Sequence, residues 1–154
     1  MNMMTKMALR HRPLSDAKAQ LSEVMSQVVR EHRPTVVDRH RGKEAMLLLG
    51  ADQAHALLER YRFDTQTRFE NGEWTLFSPE LKLVASGESF DEALDELVGL
   101  SDQYAADYFD RLAFYLETDR APEFGWLLRF ALTAEDKRRD LFTEPPAAAV
   151  RASE

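Results

Sequence analysis

The chain contains no cysteine, so it can build neither a disulfide nor a thiolate zinc site, which fits a reducing compartment. Glycine is scarce and dispersed: the six glycines at 42, 50, 72, 87, 99 and 125 form no Gly-rich phosphate loop. No apolar run approaches the ~18–20 residues that a bilayer-spanning helix needs, so no membrane association is expected. The opening "MNMMTKMALRHR" lacks the apolar stretch of a secretory signal, and a cytoplasmic location is expected; its methionines leave the start codon open. His11, His32, His40 and His55 show neither HxxxH nor HExxH spacing. No nucleophile with its base, paired acids or metal set stands out, so no catalytic residue, metal or cofactor is assigned, and a non-enzyme is expected.

What is present is an ordinary globular composition, 44% hydrophobic and 31% charged over 154 residues, enough for one domain or two small ones with a modest core. The charge is unevenly placed. Residues 1–62 hold 11 Lys/Arg against 7 Asp/Glu, a net +4, while residues 63–154 hold 9 against 20, a net −11. Fields of opposite sign steer opposite kinds of partner: nucleic acid at the basic end and a basic protein at the acidic end. Two solvated surfaces would give the same count.

"MALRHR" (7–12) has the character of a short strand. Pro13 disfavours helix at the residue before it, and Ser15 is placed to cap a helix with Asp16 at its positive end. Ala17, Leu21, Val24, Met25 and Val28 then give an amphipathic helix over 15–30, stopped by Pro34. "TVVDRH" and "EAMLLLG" are strand-like runs joined through a tight "RGK" turn in which Gly42 takes positive φ. A second helix follows with Asp52 as its cap and Ala56, Leu57 and Tyr61 on one side, closing a β-α-β-β-α unit near Arg62.

The remainder begins with alternation in "FDTQTRF", then Asn71-Gly72, then "EWTLFSPEL", which is a hairpin signature; "KLVASGE" supplies a third strand. Ser89 and Glu92 form a capping box ahead of the apolar face Ala93, Leu94, Leu97 and Leu100. The helical pattern continues through Tyr104, Tyr108, Leu112 and Tyr115, with Gly99 a candidate kink. "DRAP" breaks it, a short helix is expected over 123–132, and Thr133 is a candidate cap for another over 134–142. "TEPPAAAVRASE" carries no periodicity and reads as a disordered tail over 143–154. The fold class is therefore α+β: the β-α-β-β-α unit, then a hairpin-based three-stranded sheet with C-terminal helices.

Arg10 and Arg12 precede the first helix, and Arg39, Arg41 and Lys43 surround the turn. Strand pairing can bring them to one sheet edge beside Ser15, with Lys18 one turn further on, where helix amides and cations would suit a phosphate. Asp91, Glu92, Asp95 and Glu96 lie opposite the leucines of their helix, as a solvated face does.

"PLSDAKAQLSEVMSQVVREHRPTVVDRHRGKEAMLLLGADQAHALL" resembles the Phd/YefM antitoxins of type II toxin–antitoxin modules. Ser15, Ala17, Lys18, Leu21, Ser22, the 41–43 Arg-Gly-Lys turn and the 45–49 strand carry the resemblance over about 50 residues. The chain departs from that pattern where "EHRP" replaces a frequent Gly-Glu pair, and where some 90 residues replace a short toxin-binding tail. "ENGEWTLFSPELKLVASGESFDEALDELVGL" is similar, more weakly, to HicB-type antitoxin domains through Glu80-Leu81, Gly87, Ser89 and Glu92-Ala93-Leu94.

The resemblance implies a homodimeric DNA-binding autorepressor that neutralises a basic, RelE-like ribonuclease toxin. Residues 1–62 would be the DNA-binding and dimerisation domain, with Arg10, Arg12, Ser15, Lys18, Arg39, Arg41 and Lys43 facing operator DNA. Residues 63–142 would be the acidic toxin-binding domain. There Asp91, Asp95, Glu96, Asp102, Asp107 and Asp110 would supply the charge, with Trp74, Trp126 and Phe130 as apolar anchors. The alternatives are a non-enzymatic interaction adaptor and an orphan transcriptional regulator without a toxin.

Overall fold

Strand β1 (Arg10–Pro13) runs parallel to β2 (Thr35–Arg39), so a crossover must join them, and two short helices supply it: α1 (Leu14–Ala19) and α2 (Leu21–Val29). The structure is a computed structural model, and it describes residues 8–145. Met7 of the first expected strand and most of the expected tail lie outside those residues.

Strand β3 (Glu44–Leu48) pairs antiparallel with β2, giving the sheet order β1-β2-β3. Ala17, Val24 and Val28 of the helices and Thr35 and Val37 of β2 form the buried layer between helices and sheet. The expected single helix over 15–30 is broken at Gln20, whose φ of −125° and ψ of 36° are not helical. Two corrections concern caps. Pro13 occupies the N-cap position of α1 with no side-chain cap bond, and Ser15 lies inside the helix. Asp52 likewise sits inside α3 (Ala51–Leu58), while the Gln53 side chain accepts from the Gly50 amide at 3.4 Å.

The chain divides into two compact units between Leu57 and Leu58, rather than after Arg62. The intervening residues are tied to the second unit. Trp126 Nε1 donates to the Arg62 carbonyl at 2.9 Å, Arg129 Nη1 donates to the Tyr61 carbonyl at 2.9 Å, and the Tyr61 and Trp126 rings meet edge to face.

In the second unit β4 (Gln66–Glu70), β5 (Glu73–Ser78) and β6 (Leu83–Gly87) make an antiparallel meander. Asn71 and Gly72 turn the first hairpin with φ of 54° and 79°, both positive as the expected turn type demands. Helix α4 (Phe90–Asp110) crosses one sheet face, burying Ala93, Leu94 and Leu97 in one cluster with Leu76 and Ala85. It runs through Gly99 without interruption and stops at Arg111, before α5 (Leu112–Tyr115).

Helix α6 (Phe124–Leu132), entered through a 3-10 turn at Ala121–Glu123, adds Leu127 and Phe130 to the core. The expected helix over 134–142 is a 3-10 turn at Glu135–Lys137 followed by α7 (Arg138–Leu141). Thr133 terminates α6 instead of starting the next element, its hydroxyl donating to the Arg129 carbonyl at 2.7 Å. The result is a mixed α/β protein with two three-stranded sheets. No helix among the described residues is long and apolar enough to cross a membrane.

Candidate nucleic-acid interface and acidic face

The parallel pairing sets Pro13 beside Asp38, so α1 starts next to the point where β2 runs into its turn. His11, Pro13, Leu14, Ser15, Lys18, Asp38, Arg39, His40 and Arg41 together line one concavity there. The turn is tight: the Lys43 amide donates to the His40 carbonyl at 3.3 Å, and Arg41 and Gly42 take φ of 57° and 82° between them. His40 is also left-handed at φ 54°, an unusual backbone for a residue with a side chain. The turn thus holds Arg41 on an exposed rim in a conformation that glycine or asparagine would adopt more readily.

Lys18, Arg39 and Arg41 therefore share a face with Ser15, and Lys43 belongs to the same turn. One carboxylate also lies in it: Asp38 Oδ2 is 3.4 Å from His11 Nε2. Arg39 forms an ion pair with Glu44 directly across the strand pair. With six residues, α1 brings little dipole to the site, so the side-chain cations dominate its field.

Arg10 and Arg12 are placed elsewhere. Alternation along β1 turns them toward α2, where Arg10 donates to Gln27, and Arg12 donates to Gln20 at 2.9 Å and to Gln27 at 3.0 Å. That same period of two puts His11 into the concavity, and the turn puts His40 there. Neither is among the expected DNA-facing residues, although alternation along β1 is enough to find the first.

The acidic residues of the second unit fall into two groups. Arg139 bridges Asp91 at 2.7 Å and Asp95 at 2.9 Å, and Arg138 holds Asp102 at 2.8 Å, so α7 neutralises much of that side of α4. Glu96 accepts from the Ser86 amide at 3.1 Å. Asp107 is bound twice by Arg111, at 2.9 and 2.5 Å, and once by the Tyr115 hydroxyl at 2.5 Å. These bonds hold the Asp107 carboxyl below its ordinary range and push the Tyr115 phenol above its own. Asp110 is exposed at the end of α4.

The expected anchors are mostly interior. Phe130 is fully buried and offers no surface to a partner. Trp74 is half-buried between Phe69 and Phe90, and Trp126 is half-buried and committed to Tyr61 and Arg62. No group of side chains among the described residues is arranged to hold a metal ion.

A family profile described as antitoxin of toxin-antitoxin, RelE / RelB, TA system (PHD_like) matches residues 7–141, running through both units. Among solved structures, the chain is similar to an antitoxin part of a proposed toxin/antitoxin system from Syntrophomonas wolfei subsp. wolfei. The TM-score is 0.75 at 21% identity, covering 86% of this chain and 96% of that one, a likeness of fold. No curated protein matches the chain. Since the profile takes in nearly all of the described residues, the chain belongs to this family of antitoxins of RelE/RelB toxin–antitoxin systems.

Proposed function

We propose that this antitoxin binds operator DNA as a homodimer through its N-terminal unit and neutralises a basic, RelE-like ribonuclease through its acidic C-terminal unit. The observation that carries the DNA reading is the gathering of Lys18, Arg39 and Arg41 around one concavity in an otherwise acidic protein. Cations on one face can neutralise successive phosphates, and a two-fold protein doubles that face on a two-fold site. An uncovered apolar stripe supports the dimer: Leu21, Met25 and Val29 recur every four residues along α2 and are all exposed, Met25 at 65%. The toxin reading rests on the family and on the −11 charge of residues 63–154, which suits a protein whose own substrate is a polyanion.

The test is binding to the promoter fragment upstream of the gene, together with rescue of growth when the protein encoded by the adjacent reading frame is expressed. The Arg41→Ala/Lys43→Ala chain is expected to lose promoter binding at least tenfold while still rescuing growth. Promoter binding by that variant at wild-type affinity would remove the proposed DNA surface.

A further inference from the structure

Where the chain turns at Arg111, from α4 into α5, it exposes two large apolar side chains that the unit does not use. Phe114 is 58% exposed and Leu116 49% exposed. Phe114 is nonetheless held in place. Its ring packs edge to face on Tyr115 at 5.3 Å, and the Arg111 guanidinium lies over it at 5.6 Å. Arg111 is itself fixed by the two-pronged bond to Asp107, which also receives the Tyr115 hydroxyl. A network of three polar side chains thus immobilises an aromatic ring that faces solvent, and an ordered aromatic costs little entropy when a partner covers it.

The charges around this corner differ from those along the rest of α4. Asp91, Asp95 and Asp102 are already matched by the arginines of α7. Asp110, one residue before the turn, and Glu117, just after Leu116, are exposed, and the single cation between them, Arg111, is cancelled by Asp107. Apolar anchors with unmatched negative charge on either side are complementary to a basic protein surface.

We propose that this α4–α5 corner, with Phe114 and Leu116 as anchors and Asp110 and Glu117 as flanking charges, is the docking surface for the basic toxin. The inference rests on the toxin-neutralising reading above, and it places the contact away from the Asp91–Asp95–Asp102 side of α4.

The experiment measures binding of the full-length chain to the purified protein encoded by the adjacent reading frame, by calorimetry and stopped-flow association. Phe114→Ala/Leu116→Ser is expected to weaken binding about 30-fold or more, the range of interface anchor residues. Asp110→Asn/Glu117→Gln should slow association and flatten its salt dependence, and because both residues are exposed this pair guards against a folding artefact. Asp91→Asn/Asp95→Asn should stay close to wild type. Wild-type affinity in both corner variants, or a larger loss in the Asp91/Asp95 variant, would overturn the proposal while leaving the toxin reading intact. So would a corner variant that changed the oligomeric state of the free chain without changing toxin affinity, since a second copy would then be the occupant. Failure of the wild-type chain to bind would remove both readings.

Discussion

A Cβ built on Gly87 would lie 2.6 Å from the Ala93 amide nitrogen and 2.8 Å from Glu92 Cβ, closer than atoms can pack. The last residue of β6 therefore touches the first turn of α4 through bare backbone. Ser89 caps that turn by accepting from the Glu92 amide at 3.1 Å, and the Glu92 carboxylate accepts from the Glu88 amide at 3.0 Å. Gly87→Ala must push the helix start off the sheet, and a loss of about 1–3 kcal/mol is expected from urea unfolding, the usual cost of overpacking. His32 presents the opposite case. It lies just beyond the Arg30 cap of α2 with φ 52°, while the Arg33 amide donates to the Gln27 carbonyl at 3.1 Å. A left-handed residue with a side chain carries about 1–2 kcal/mol of strain, partly offset by the greater freedom glycine has when unfolded. His32→Gly should therefore raise stability by up to about 1 kcal/mol, seen as a higher urea midpoint at unchanged slope. Gly87 lies in the strand-like "KLVASGE" and His32 in "EHRP", so both stretches stand out in the sequence. The Ser89 cap was legible because serine and glutamate stand three apart before an apolar run. Ser15, Asp52 and Thr133 show the same residue type lying inside or at the far end of a helix, where only the backbone path decides.

Among the elements, the junction of α4, α5 and the 3-10 turn is held by polar bonds that periodicity could not reveal. The Tyr104 hydroxyl donates to buried Glu123 and accepts from Arg120 at 2.9 Å, while Tyr108 donates to the Arg120 carbonyl at 2.9 Å. Tyr104→Phe leaves a buried carboxylate short of a donor, so a loss of about 1–3 kcal/mol is expected in chemical unfolding. The phenols of Tyr104, Tyr108 and Tyr115 are all raised above their ordinary value, the first two mainly by burial and the third mainly by its bond to Asp107. The folded chain then holds protons that the unfolded chain releases above pH ~10, so stability is fully present below that pH and falls as pH rises through the folded values. Phenolate absorbance should accordingly lag behind that of the unfolded chain above pH ~10, and unfolding should release it abruptly. Asp107 acts in the reverse direction at the acid end, its contribution disappearing as pH falls through its lowered value. All six strands among the described residues were legible as elements, because alternation and the Asn71-Gly72 turn are local signals. The break at Gln20 was not. Ala17, Val24 and Val28 are buried while Leu21, Met25 and Val29 are exposed, two stripes that a periodicity search merges into one.

For the whole molecule, the proposed dimer and the proposed DNA face make one quantitative commitment. A slope of log affinity against log salt counts the phosphates neutralised, about 0.9 for each on a duplex. A dimer meeting ~6 phosphates should give a slope of about −5 on the promoter fragment. The stripe on α2 offers a way to change the number of basic faces without touching a basic residue. Met25→Glu sets a carboxylate into an exposed apolar row, where a second copy would have to bury it unpaired. The variant should sediment as a monomer, retain its circular dichroism because Met25 is not part of the core, and bind the promoter with about half the salt slope. Its affinity for the adjacent-frame protein should be unchanged, since that reading assigns the toxin to the other unit. A monomeric Met25→Glu chain that kept the full slope would show that one copy alone covers every phosphate contacted. The concavity around Lys18, Arg39 and Arg41 is then too small to be the whole DNA surface, and the partly buried Arg10 and Arg12 would have to leave Gln20 and Gln27 to complete it.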